Sequence, residues 1–441
     1  MNPELRRHLW LDLGMHRLVL VPLVLGALAA IPLFADAGPA PLAWGALTIF
    51  GLLTIGWGSM RALGSVVEEV RDRTWDFQRM STLPPASLAL GKVFGAPVFQ
   101  WYIGAWCLAV FAATAPAAGH RHWMASLAAM VTSAVTLHAL GVAASTASAR
   151  LVLGERTRRV GGIILLTGVF NVVPVAALIG WDADALPVMV RWWGLPMARP
   201  LFVALSSALF AAWALVAAWR AMQHAMREPA LPWAWPVFAA FVALWWSGLE
   251  TPATARPSLA LLLAAASCVL AVGTYFGGLQ EPVNPVSRAR MALAWRGAAS
   301  ANRARWPSWA TNAVLAIMLG AAAFALAGRS TMEALARLAL PFALMALRDM
   351  AFISCMALAS HARGPVSRGV FYIALADLLL PAVAMALGRP ELARLIFPMW
   401  GVFDNVGVAA GGMAFHAALA LCALAVCLRS PRQGPWKAPR R

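Results

Sequence analysis

The sequence predicts an all-α, multi-pass membrane protein: about twelve transmembrane helices in two six-helix halves, with both termini cytoplasmic. Three observations carry this. Of the 441 residues, 61% are hydrophobic and 12% charged, with a mean hydropathy of +0.72, which leaves too little polar surface for a soluble domain. Twelve apolar runs are bounded by Pro, Gly and charge. At about 1.5 Å per residue, most can cross a hydrocarbon core of roughly 30 Å. Finally, Arg gathers in alternate loops, the bias that keeps one side of a membrane protein in the cytoplasm.

The first element, residues 1–17, contains "NPELRRHLWLDLGMHR". Pro3 suits a first helical position, and Leu5, Leu9 and Leu13 share one face, so an interfacial amphipathic helix is expected. The run that follows is long and basic-flanked, which suits an uncleaved anchor better than a signal peptide. Residues 18–219 form the first half, with runs at 18–35, 43–63, 87–115, 123–149, 160–181 and 200–219. A short cytoplasmic linker, 220–231, leads to the second half, 232–428. Its runs are 232–249, 258–278, 310–328, 338–360, 369–387 and 402–428, and a basic tail, 429–441, closes the chain. The longest cytoplasmic loops follow the second and eighth runs, near Ala62 and Leu279, an offset that suggests a parallel internal repeat.

The formal net charge of +17 does not mark a nucleic-acid surface, because the arginines recur in short loops and form no single patch. Arg6 and Arg7, Arg71, Arg73 and Arg79, Arg156, Arg158 and Arg159, and Arg363 and Arg368 all fall on the expected cytoplasmic side. Trp192, Trp193, Trp245 and Trp246 stand near the opposite ends of spans, where an interfacial belt sits. The five cysteines lie inside apolar runs without metal-ligand spacing and read as small buried hydrophobes.

One loop is unlike the rest. Between the second and third runs, Glu68, Glu69, Asp72 and Asp76 alternate with Arg71, Arg73 and Arg79. Ser65 and Glu68 have capping-box spacing, so a helix over 65–83 is expected to start just past the second span. Val66, Val70, Phe77 and Met80 fall near one side of it. Pro84-Pro85 would end it, and Lys92, one turn into the third span, would snorkel to the headgroups. A helix floating on anionic lipid should be basic. Mixed charge beside an apolar stripe suits a protein partner.

The stretch "EVRDRTWDFQRMSTLPPASLALGK" resembles the first coupling segment of type-2 ATP-binding-cassette (ABC) export permeases, with Glu69, Thr74, Asp76, Pro84, Gly91 and Lys92 matching in order. Arg73 stands where that family usually has Gly, and the Pro comes one or two residues late. The resemblance covers the first six runs well and the second six in outline. The loop from Leu279 to Trp309 is basic and lacks the motif. The resemblance implies a transporter subunit without enzymatic activity of its own, in the bacterial inner membrane. It implies a separate ABC-type ATPase that carries ATP and Mg, docked on Glu68, Glu69, Asp72, Thr74, Asp76, Phe77, Pro84, Gly91 and Lys92. It leaves open whether one chain supplies both membrane halves or pairs with a second copy.

The chain itself holds no phosphate loop: "ASLALGKVF" lacks the first Gly and the hydroxyl residue of GxxxxGK[ST]. No HExxH or metal-spaced cluster appears, so no cofactor is expected here. The remaining anomaly is "ALRDMAF", which puts Arg348 and Asp349 in the middle of the tenth run, while Asp377 lies in the middle of the antiparallel eleventh. Arg348 is expected to pair with Asp377. Asp349, about 100° around the helix, is expected to face elsewhere in the bundle. His138, Asn171, Asn312 and His416 read as helix-packing hydrogen bonders. The alternative function is a proton-coupled twelve-span secondary transporter that uses the three midplane charges. Against it, the loop after the second run is long and the linker short.

Overall fold

The computed structural model describes residues 2–35, 38–151, 189–226, 228, 233–250, 257–280, 308–328, 335–359, 365–398 and 406–429. The fifth apolar run with Asn171, the flanking Arg156, Arg158 and Arg159, the loop 281–307, Arg363 and most of the basic tail lie outside these residues. Among the described residues, eight helices are long and apolar enough to cross a membrane, or nine if one bent pair counts as a crossing. The chain is a multi-pass helical membrane protein. It divides into two compact units, Met1–Leu231 and Pro232–Arg441.

In the first unit, α1 (Pro3–Asp12) starts at Asn2, whose side-chain oxygen accepts from the backbone N–H groups of Glu4 and Leu5. Helix α2 (Met15–Phe34) contains Pro22. A proline has no N–H to give the carbonyl four residues back, and the freed Leu18 carbonyl instead accepts from the Tyr102 hydroxyl at 2.8 Å. Helix α3 (Pro39–Ile49) runs through a π-helical segment (Phe50–Trp57) into α4 (Gly58–Arg71) without leaving the span. A wider π turn frees a carbonyl. That of Thr54 accepts from His138 Nε2 at 2.8 Å, and the Thr54 hydroxyl donates to the Gln100 carbonyl at 3.0 Å.

The unit continues with α5 (Trp75–Arg79), α6 (Pro85–Gly95), α7 (Val98–Thr114) and α8 (Trp123–Leu151). Helices α6 and α7 meet at 56° across Ala96–Pro97, so the third run is bent and not one straight helix. A hairpin, β1 (Met189–Trp192) with β2 (Leu195–Ala198), precedes α9 (Arg199–Ala225). Its turn residues Trp193 and Gly194 have φ of 53° and 77°, the left-handed pair that a two-residue turn needs. The all-α expectation did not include this hairpin. Helix α9 lies along α8, where Ala129 meets Val203 and Ala204, and the Thr132 and Ser207 hydroxyls bond at 2.6 Å.

The second unit comprises α10 (Ala234–Ser247), α11 (Leu259–Gln280), α12 (Ser308–Leu326), α13 (Ala339–Ala359), α14 (Pro365–Ala386), α15 (Pro390–Ile396) and α16 (Val406–Arg429). Its core is built from alanines, including Ala266, Ala271, Ala316, Ala343 and Ala346. Small side chains let helices approach closely where lipid supplies no hydrophobic drive. The Ser267 hydroxyl donates to the Ala316 carbonyl at 2.7 Å across one such contact. Cys107 is buried and Cys268 and Cys355 are partly so, whereas Cys422 is exposed, against the buried reading.

Candidate functional site

The mixed-charge loop is not one helix over 65–83. Ser65 lies inside α4 and donates to the Ala62 carbonyl at 2.6 Å, so it caps nothing. The Ser145 hydroxyl on α8 accepts from the backbone N–H groups of Val66 and Val67. The span therefore continues rigidly into the loop and stops at Arg71. It ends with Thr74 N–H on the Glu69 carbonyl at 2.9 Å and Arg73 N–H on the Val70 carbonyl at 3.2 Å. This paired closure requires a left-handed residue just after the cap, and Arg73 adopts φ of 60° to provide it. The position where the resembled family has Gly is the one whose backbone favours Gly.

Beyond Arg73 the chain folds into a compact platform. Trp75 is 8% exposed and packs with Val66, Leu88, Val93, Ala139, Val142 and Met222. The Ser81 hydroxyl donates to the Gln78 carbonyl at 2.6 Å. Pro84 then precedes α6, whose first residue is Pro85, a position that needs no N–H.

Beneath the platform lies an ionic network, and it corrects two expectations. Lys92 does not snorkel. Its side chain is 0% exposed and its Nζ sits 2.5 Å from Glu69 and 3.1 Å from Glu4, with the Trp75 ring centroid at 5.7 Å. Glu69 is not offered to a partner either. It also accepts from Arg7 at 2.6 Å and from Gln78 at 2.7 Å. Two carboxylates meet two cations, so the buried charges cancel, as burial demands. Burial opposes the ionised form of Glu4, but the neighbouring His8 ring, Lys92 and Arg7 together hold its carboxyl well below the usual range. Burial likewise works against the Arg7 charge, and Glu4 and Glu69 outweigh it, raising the guanidinium further.

Gly91 completes this arrangement. A Cβ there would lie 2.5 Å from Glu4 Cβ and 2.9 Å from Asn2 Oδ1, so only Gly lets α1 lie this close to α6. The Asn2 amide also donates to the Ser87 carbonyl at 2.6 Å. Glu69, Gly91 and Lys92 are thus internal: they bind the N-terminal helix to α4 and α6, while exposed Thr74 donates its hydroxyl to the Glu69 carbonyl at 3.3 Å. The outer surface belongs to Glu68, Asp72, Asp76 and Pro84, all exposed, and to Phe77 and Met80, 71% and 74% exposed. Val66 and Val70 face inward, opposite to them, so the single expected stripe is two surfaces.

No family model, curated protein or solved structure matches the chain. The chemistry of the platform is therefore read from its own residues.

The second unit holds the other charged centre. Arg348 Nη2 lies 2.6 Å and 2.9 Å from the Asp377 oxygens, so the expected ion pair is present. Asp349 is 3% exposed and faces into the bundle, as expected. Arg348 also donates to its Oδ1, from Nε at 2.7 Å and from Nη2 at 2.5 Å, and the Tyr275 hydroxyl donates to its Oδ2 at 2.5 Å. The long guanidinium can curl back to its neighbour while still reaching α14. Arg348 Nη1 meets His416 Nδ1 at 3.0 Å. His138 and His416 make inter-helix hydrogen bonds as expected, whereas both side-chain atoms of buried Asn312 lack a partner.

Sequence reasoning missed Glu4 and Tyr275. The available signal for Glu4 was an acid one turn before Arg7 on the N-terminal helix, together with a lysine set deep in an apolar run. Tyr275, near the end of its apolar run, has the signature of an interfacial residue and gave none. Among the described residues, no group of three or more His, Cys, Asp or Glu could hold a metal ion.

Proposed function

We propose that this chain is the membrane permease subunit of an ATP-driven ABC exporter in the bacterial inner membrane. Twelve spans and cytoplasmic termini belong to this reading, with a separate ATPase that binds ATP and Mg docking on the platform at residues 72–83. The observation that carries it is the exposure of Phe77 and Met80 on a platform that also exposes Asp72 and Asp76 and is held to α4 and α6 by buried Trp75 and the Gln78–Glu69 hydrogen bond. Two exposed large apolar side chains beside exposed acids suit the centre and rim of a protein contact. Rigid attachment is what coupling requires. A push on α5 reaches α4 across the Arg71–Thr74 turn through buried Trp75 and the Gln78–Glu69 bond, and α4 then runs unbroken back to the π segment at Phe50–Trp57. That segment is where helix geometry changes, and such segments often mark functional hinges.

The test is purification of the tagged protein in mild detergent from cells that express it with its neighbouring genes. ATP hydrolysis should accompany the wild type and fall at least about tenfold with Phe77→Arg and Met80→Glu together, as expected for losing an interface anchor. The double variant should keep the wild-type melting temperature, since neither side chain is packed internally. Equal ATPase activity with both proteins would sink the reading.

A further inference from the structure

The charged centre of the second unit does not balance as its residues stand. Arg348 contributes one positive charge, and it is the cation that bonds both Asp349 and Asp377. His416 contributes none: guanidinium nitrogens only donate, so the Nδ1 facing Arg348 carries a lone pair. Its Nε2 donates to the Ile396 carbonyl at 2.8 Å, which fixes the neutral tautomer. The Tyr275 hydroxyl is a neutral donor. Helix α12, also packed on α13, has no ionisable side chain. The other ionisable side chains on the elements packed against α13 include Cys268 on α11, exposed Arg368 and Tyr372 on α14 and exposed Cys422 on α16, while α15, packed on α14 and α16, carries exposed Glu391 and partly buried Arg394. Arg337 is occupied with the Ala327 and Gly328 carbonyls.

We propose that Asp349 and Asp377 form a proton-binding site, holding one exchangeable proton between them. Two carboxylates that share one guanidinium in an apolar interior leave one negative charge uncompensated. Such a charge is relieved by taking up a proton, and close carboxylates titrate as a pair. The donor count points the same way. Arg348 Nη2 has two hydrogens for three carboxylate contacts within 2.9 Å, so one hydrogen is divided between two oxygens and the single guanidinium under-serves the two acids.

Access is through Asp377, whose side chain is 18% exposed against 4% for Asp349. Pro381 lies one turn further on in α14. It denies the Asp377 carbonyl its helical donor, so α14 can bend at the protonating residue without breaking a backbone bond. The inference depends on the charge count and is independent of the exporter reading.

Infrared spectroscopy of the purified full-length protein in lipid nanodiscs tests it. The wild type should show a carboxylic-acid carbonyl band that shifts in deuterated buffer and is lost as pH rises. Asp349→Asn and Asp377→Asn should each abolish it, because either leaves a single carboxylate for Arg348 to neutralise. A wild type without such a band at any pH where it stays folded would overturn the proposal. So would a band that survives in either variant, which would mean one acid is protonated for reasons other than the charge count. Should a variant fail to fold, the wild-type band decides by itself: it should disappear as pH rises, and a band that keeps its intensity over the whole pH range where the protein stays folded refutes an exchangeable proton.

Discussion

Lys92 illustrates how a residue's neighbours set its role. By position it could have carried its charge to the headgroups, one turn inside a span. Instead the chain brings Glu4 from the N-terminus and Glu69 from α4 to meet it, and Arg7 balances the second acid. Removing one member of a buried ionic group strands the others and costs about 3–5 kcal/mol, more than the pair contributes net. Lys92→Met should therefore destabilise the protein by about that amount, read as thermal unfolding in detergent. Adding Glu69→Gln should recover a large part, because it removes the carboxylate charge that Arg7 alone cannot balance. A Lys92→Met protein as stable as wild type would mean the network does not hold α1. The lysine was visible in the sequence, but its partners, 88 and 23 residues away, were not. Periodicity reports a face and says nothing of what another segment lays against it.

At the scale of the element, the sequence signals for helix ends were partly right. Pro84-Pro85 does introduce the third span, since proline suits a first turn that has no donor to lose. The Ser65–Glu68 pair misled because such a box needs a non-helical Ser, and Ser65 is already within a helix that begins many residues earlier. The true stop, at Asp72–Thr74, carries no Gly to announce it. Arg73 holds the left-handed conformation at a cost of roughly 1–2 kcal/mol for a side-chain-bearing residue. Arg73→Gly should relieve that strain, with a net gain of up to about 1 kcal/mol after the greater freedom of Gly in the unfolded chain is deducted. Arg73→Val, whose branched Cβ fits the conformation worst, should lose about 1 kcal/mol or more. Melting of the two variants beside wild type measures this. If Gly and Val shift stability alike, the end of α4 is not closed as described.

At the scale of the whole molecule, composition and run length made the class legible, because lipid forces every backbone polar group into a helix or a closed barrel. Eleven of the twelve apolar runs coincide with helices, and the twelfth, 160–181, lies outside the described residues. Runs alone do not settle which helices cross. Ala234–Ser247 has 14 residues, about 21 Å at 1.5 Å per residue, short of a core of roughly 30 Å. The third run spends its length on a bend. Orientation rests on the arginines, and two described features give it a direct test. The platform follows the second span and the β1–β2 hairpin precedes the sixth, so they should lie on opposite sides of the membrane. Asp76 and Leu195 are both exposed, so single cysteines there, in a chain freed of its own five, leave the packing untouched. An impermeant thiol reagent should label Leu195→Cys in intact spheroplasts and Asp76→Cys only after the membrane is opened. Labelling of Asp76→Cys from outside would invert the molecule. The platform would then face away from any cytoplasmic ATPase, and the exporter reading would fall with the topology.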